Sequence, residues 1–86
     1  MKKAMPKKVA PRSAPAVDAY IGARMRERRH ELKMSQPALA KALGVSFQQI
    51  QKYESGQNRV SAARLFDICK VLNVSLASMF ERDPQA

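Results

Sequence analysis

The sequence predicts an all-α fold, five short helices in one domain behind a disordered basic arm, and three observations carry that prediction. From Val17 onward Val17, Ile21, Met25 and Leu32 recur at spacings of four, four and seven, the period of a helix, and no useful stretch alternates in the manner of a strand. Serines able to cap a helix start are each followed by a glycine or asparagine able to end one: Ser35 and Gly44, Ser46 and Gly56, Ser61 and Asn73. The first sixteen residues combine Pro6, Pro11 and Pro15 with five bases and almost no large apolar side chains. Such a segment cannot offset the entropy of ordering. The expected organisation is therefore an arm over 1–16, a helical domain over 17–81 and a tail over 82–86.

The first helix is predicted over about Ala16 to Lys33, with Arg24, Arg26, Glu27 and Arg28 off the apolar stripe. Ser35 caps the second, with Pro37 in the first turn, where a missing N–H does no harm. Leu39, Ala40 and Leu43 form its buried face, and Gly44 ends it in the left-handed conformation. Ser46 and Gln49, three apart, read as a capping box opening the third helix, which runs to Ser55 and stops at Gly56. Ser61 opens a fourth with the stripe Leu65, Ile68, Cys69 and Leu72, closed by Asn73. Ser75 opens a short fifth with Leu76, Met79 and Phe80 inward, and Pro84 marks the end.

Composition excludes several kinds of activity. Sixteen Lys and Arg against seven Asp and Glu leave a net charge of +9 on 86 residues, which points to a polyanionic partner, nucleic acid or an acidic membrane surface. The charge is uneven: +5 over residues 1–16, +2 over 17–33, +2 over 34–60 and zero over 61–86. Cys69 is the only cysteine and His30 the only histidine. No disulfide framework, no metal site of the usual nitrogen and sulfur kind and no cofactor site is expected, and Cys69 on an apolar stripe reads as a small buried hydrophobe. A nuclease or other enzyme lacks a carboxylate cluster and a catalytic set. No apolar run reaches the roughly 18 residues of a membrane span. The basic start MKKAMPKK is followed by no apolar stretch of a signal peptide, so a cytoplasmic location is expected.

The segment from Gln36 to Ser55, QPALAKALGVSFQQIQKYES, carries the functional signal. Read as two helices meeting steeply through a tight turn, it needs a small residue at the crossing and finds Ala40. It needs a residue tolerant of positive φ in the turn and finds Gly44. Leu39, Leu43, Val45, Ile50 and Tyr53 supply the inner faces. This is the helix-turn-helix pattern, whose second helix enters the major groove of DNA. With Ile50 and Tyr53 pointing inward, 100° per residue places Gln48, Gln51, Lys52 and Ser55 on the opposite face. Gln48, Gln51 and Lys52 are the candidate base contacts, since glutamine bonds adenine in bidentate fashion and lysine donates to guanine or to phosphate. Gln36 stands at a helix N-terminus, where N–H groups and the helix dipole favour an anion, and Ser35, Ser46, Ser55, Asn58 and Arg59 are the other candidates for phosphate contacts. For Ser35 and Ser46 capping is the competing role, and a hydroxyl can fill both.

The run IGARMRERRHELKMSQPALAKALGVSFQQIQKYESGQNRVSAARL resembles the phage repressor and Cro-like helix-turn-helix family, often called XRE-like regulators, and the likeness extends over about Val17 to Phe80. The resemblance implies a five-helix, repressor-like DNA-binding domain from a bacterium or phage, acting at the nucleoid as a homodimer on a near-palindromic operator of double-stranded DNA. It places base contacts on Phe47, Gln48 and Lys52. Phe47 either touches a thymine methyl or packs back on the second helix or Tyr53. It makes Arg29 and Glu54 an internal ion pair tying the first helix to the third. It gives Val74, Leu76, Met79 and Phe80 a share in pairing two copies, the alternative being that they close the core. The expected function is a sequence-specific transcriptional regulator, a repressor that occupies its operator. The alternative is an antitoxin-like or co-regulator module that uses the same fold to dock another protein.

Overall fold

A serine stands before each of the four α-helices, and each serine hydroxyl accepts a hydrogen bond from the backbone N–H three residues on. The computed structural model describes residues 13–81 and is all-helical over them: α1 (Ala14–Glu31), α2 (Gln36–Leu43), α3 (Phe47–Ser55) and α4 (Ala62–Leu72), then a 3-10 turn over Ala77–Phe80. Ser13, Ser35, Ser46 and Ser61 bond Ala16, Ala38, Gln49 and Arg64 at 3.2, 3.1, 3.0 and 3.1 Å. Each cap satisfies an otherwise orphaned donor and contributes about 1 kcal/mol.

The helix ends follow a second repeated device. Gly44 (φ 73°), Gly56 (φ 81°) and Asn73 (φ 55°) are left-handed, as their residue types predict. Lys33 (φ 56°) does the same at the end of α1, where Met34 N–H bonds Arg29 C=O at 3.0 Å across the reversal. Nothing in a lysine announces this, and α1 accordingly stops at Glu31, short of the predicted Lys33.

Two further boundaries differ from the sequence reading. α1 begins at Ala14 rather than Ala16, because Ser13 caps it and Pro15 occupies its first turn. The arm residues Ala14, Pro15 and Ala16 thus belong to a helix capped by Ser13, while residues 1–12 and the tail over 82–86 lie outside the described residues. The fifth element is a 3-10 turn of four residues and not an α-helix, so the described residues form four α-helices. Ser75 Oγ accepts from Ser78 N–H at 3.1 Å and Ser78 Oγ donates to Ser75 C=O at 2.8 Å, which winds the segment tightly.

Met25, Leu39, Ile50, Ile68, Leu72 and Met79 are the fully buried side chains of the core, ringed by Ile21, Ala40, Val60, Leu65 and Cys69. Leu32, predicted on the stripe of the first helix, is 37% exposed because it falls on the C-cap, past the last packed turn. α1 lies across α3 at Gly22. A Cβ there would stand 2.3 Å from Tyr53 O and 2.6 Å from Glu54 O, so only glycine permits the approach. That crossing fixes how far α3 stands out from the body.

Candidate nucleic-acid interface

α3 has two unlike faces. Ile50 and Glu54 are buried and Tyr53 is half-buried against the core. Gln48, Gln51, Lys52 and Ser55 are all exposed, and Phe47 at the helix start is 39% exposed. The turn that presents this face is three residues long. Gly44 N–H bonds Lys41 C=O at 3.2 Å and Val45 N–H bonds Ala40 C=O at 3.0 Å, closing α2 before Ser46 starts α3.

Beneath the helix, one carboxylate joins three elements. Arg29 of α1 reaches Glu54 with Nε to Oε2 at 2.7 Å and Nη2 to Oε1 at 3.0 Å, a bidentate pair whose side chains are 7% and 3% exposed. Arg29 Nη1 donates to Met34 C=O at 2.8 Å, and its Nη2 lies 3.3 Å from His30 Nε2. Gln36 Nε2 donates to Glu54 Oε1 at 3.0 Å from the start of α2. A fork of two parallel N–H···O bonds fixes geometry as well as charge. Glu54 is thereby matched by Arg29 and held inward, so it presents little negative charge to a polyanion at the outer face of α3.

The other predicted contacts are placed as follows. Ser35 and Ser46 serve as caps and lie exposed. Ser55 Oγ donates to Lys52 C=O at 3.2 Å and accepts from Gln57 N–H at 3.3 Å. Asn58 is half-buried, with its backbone N–H on Lys52 C=O at 3.1 Å. Arg59 Nε pairs with Asp18 at 3.2 Å, its own side chain remaining 66% exposed. A groove of about 270 Å³ opens beside the buried pair, lined by Arg26, Gln36, Gln51, Glu54 and Ser55.

The sequence reading missed how the cations of α1 are used. Arg24 pairs with Glu27 and donates to Ser78 C=O at 2.8 Å. Arg28 donates to Leu72 C=O at 2.9 Å and Asn73 C=O at 3.4 Å while pairing with Glu31 at 3.0 Å. Both therefore cap carbonyls at the C-terminal end of the fold, a favourable place for a cation. The carboxylate partners are local, but the carbonyls that the two arginines cap lie more than 40 positions away in the chain.

At that end Met79 is 1% exposed and belongs to the core, so of the residues considered for pairing it offers no surface. Leu76 and Phe80 are 50% and 40% exposed, Val74 is half-buried, and the Phe80 ring stacks on Tyr20 with centroids 6.2 Å apart. Phe66, which the sequence reading passed over, is 58% exposed on α4 beneath the Lys70 ammonium. Burial pushes the Cys69 thiol up, away from the reactive thiolate. Among the described residues no group of three His, Cys, Asp or Glu is arranged to hold a metal ion, and no helix is long and apolar enough to cross a membrane.

Residues 25–79 match the helix-turn-helix family model HTH_3. A transcriptional regulator in the ATPase CF(0) region of Rhodospirillum rubrum is 56% identical over 64 residues, covering 74% of this chain and 59% of that protein. An HTH-type transcriptional regulator of Sinorhizobium fredii is 54% identical over 71 residues, 83% of this chain and 50% of the relative. The chain thus spans about half the length of the curated relatives it matches. Among solved structures, the restriction-modification controller protein C.AhdI from Aeromonas hydrophila superposes with a TM-score of 0.71 at 28% identity, over 76% of this chain and 98% of that one.

Proposed function

The chain belongs to the helix-turn-helix family, and from that premise we propose that it is a sequence-specific DNA-binding transcriptional regulator, a repressor that binds a near-palindromic operator as a homodimer. The observation that carries the reading is the asymmetry of α3: polar Gln48, Gln51, Lys52 and Ser55 stand clear on one side while the other is locked by Ile50 and the Glu54 pair. A rigidly backed helix with an outward row of amides and an ammonium suits a major groove. Gln48 and Lys52 read bases, Phe47 lies at the groove-facing end, and Ser35, Gln36, Ser46, Asn58 and Arg59 hold phosphates. The exposed Leu76 and Phe80, with Val74, supply the surface that pairs two copies and sets their α3 helices about one DNA turn, ~34 Å, apart. The cytoplasmic nucleoid is the site of action. Repression follows from occupancy of the operator.

Gln48→Ala is the direct test, using fragments selected by the protein from genomic DNA. It should lower the preference for the selected site over random DNA by about 1 to 3 kcal/mol, whereas Arg59→Ala weakens both complexes alike. An unchanged preference in Gln48→Ala overturns the assignment of α3 as the reading helix.

A further inference from the structure

The groove at the junction of α1, α2 and α3 has a charge balance unlike the rest of α1. Four arginines stand on that helix. Arg24, Arg28 and Arg29 are each committed to a carboxylate and to backbone carbonyls. Arg26 is exposed and, among the described residues, makes no hydrogen bond or ion pair. It nevertheless lines the groove in which Gln36, Gln51 and Ser55 converge. Glu54 forms part of the wall, but both of its oxygens already accept from Arg29 and one also from Gln36. The lining is therefore the free guanidinium of Arg26, the Gln51 amide, a Gln36 amide that shares one N–H with Glu54, and a Ser55 hydroxyl whose proton bonds Lys52 C=O, around a carboxylate already matched in charge. The free guanidinium and the amide N–H groups are donors that match the oxygens of a phosphate.

We propose that Arg26, with Gln36, Gln51 and Ser55, forms a seat for one backbone phosphodiester of the bound DNA. The proposal rests on the reading of α3 as the helix that enters the groove. It adds Arg26 as a positioning residue and moves Gln51 from base reading to backbone holding. On α3, Gln51 and Ser55 flank the groove, whereas Gln48 and Lys52 are exposed without lining it. The same helix thus divides into an edge that fixes register and an edge that reads sequence. A phosphate in this seat holds α1 and α2 to the same strand that α3 faces.

The test compares the full chain with Arg26→Ala, Gln51→Ala and Lys70→Ala, the last removing one exposed cation from α4. Each is titrated over a salt series with a fragment selected from genomic DNA and with random duplex. Arg26→Ala should bind both roughly tenfold more weakly and lower the slope of log K against log salt by about 0.9, the share of one neutralised phosphate. Gln51→Ala should weaken both while leaving their ratio unchanged. Lys70→Ala should leave the slope unaltered. Melting temperatures close to that of the parent chain show that the variants fold, since Arg26, Gln51 and Lys70 are all exposed. An Arg26→Ala slope equal to that of the parent, or a Gln51→Ala protein with a lowered ratio, overturns the seat. If the parent chain itself fails to prefer any fragment over random duplex, the fault lies with the reading of α3 and not with Arg26.

Discussion

Two arginine–carboxylate pairs tie α1 to the region around α3, and they do opposite work. Arg29 and Glu54 are buried to 7% and 3%, share two N–H···O bonds and draw in Gln36. Arg59 and Asp18 meet through Nε alone, and although the Asp18 side chain is only 12% exposed, Arg59 stays 66% exposed. Taking charges out of water is costly, so a buried pair adds little net stability over a well-packed apolar replacement, yet removing one partner strands the other. A pair whose cation stands in solvent is screened by water and worth about 0 to 1 kcal/mol, and that cation trades partners readily. The inner pair therefore acts as a fixed strut behind α3, while the outer one keeps Arg59 close at hand for an incoming phosphate.

The largest effect follows from breaking the strut. Glu54→Ala leaves the Arg29 guanidinium buried without its carboxylate and should cost about 3 to 5 kcal/mol. For a domain of this size each kcal/mol lowers the melting temperature by about 4 to 8 °C, so a calorimetric or CD melt resolves the loss easily. The double replacement Arg29→Met with Glu54→Leu separates stability from positioning. It should regain much of the lost stability, as buried ion pairs replaced by apolar residues of similar volume often do. Gln36 would still lack its acceptor, so DNA affinity should stay low in the refolded double variant. Full recovery of binding would show that the pair supports the fold and nothing more.

Next in size is Gly22→Ala, which acts on the same crossing without touching a charge. The added methyl meets Tyr53 O at 2.3 Å and Glu54 O at 2.6 Å, and backbone cannot swing aside as a side chain does. The helices must separate, at a cost of about 1 to 3 kcal/mol or more by the usual scale of overpacking. Amide hydrogen exchange should show the loss concentrated in α1 and α3, with α4 less affected. A uniform loss over all four helices would mean that the crossing is not a local hinge.

These two sites mark how far the sequence speaks. Serine caps, Gly44, Gly56 and Asn73, and the stripes of α2 to α4 are local rules, and the structure follows them nearly residue for residue. The outward row Gln48, Gln51, Lys52 and Ser55 follows from helical period alone. Gly22 is silent in a sequence because its reason lies on another helix. Arg24 and Arg28 look like solvated surface charge until Ser78 and Leu72, distant in the chain, arrive beside them. The fifth segment departs from its sequence pattern for a related reason. Its apolar residues fit a helix, but four residues between Leu76 and Glu81 wind only a 3-10 turn, and Met79 is spent on the core.

The smallest expected effect is the most informative about the outer pair. A double-mutant cycle of Arg59→Ala and Asp18→Asn should give a coupling in stability below about 1 kcal/mol, declining further as salt screens the exposed Arg59 charge. On DNA the two variants should diverge. Arg59→Ala removes a phosphate contact and weakens binding, whereas Asp18→Asn releases Arg59 and takes a negative charge from near the duplex, so affinity rises. In the doubly substituted chain the gain from Asp18→Asn should shrink, because the arginine it frees is absent. The whole gain surviving there would make Asp18 a simple repulsive charge. A coupling in stability of several kcal/mol would make Arg59–Asp18 a second strut, and the contrast between the inner and outer pairs would fail.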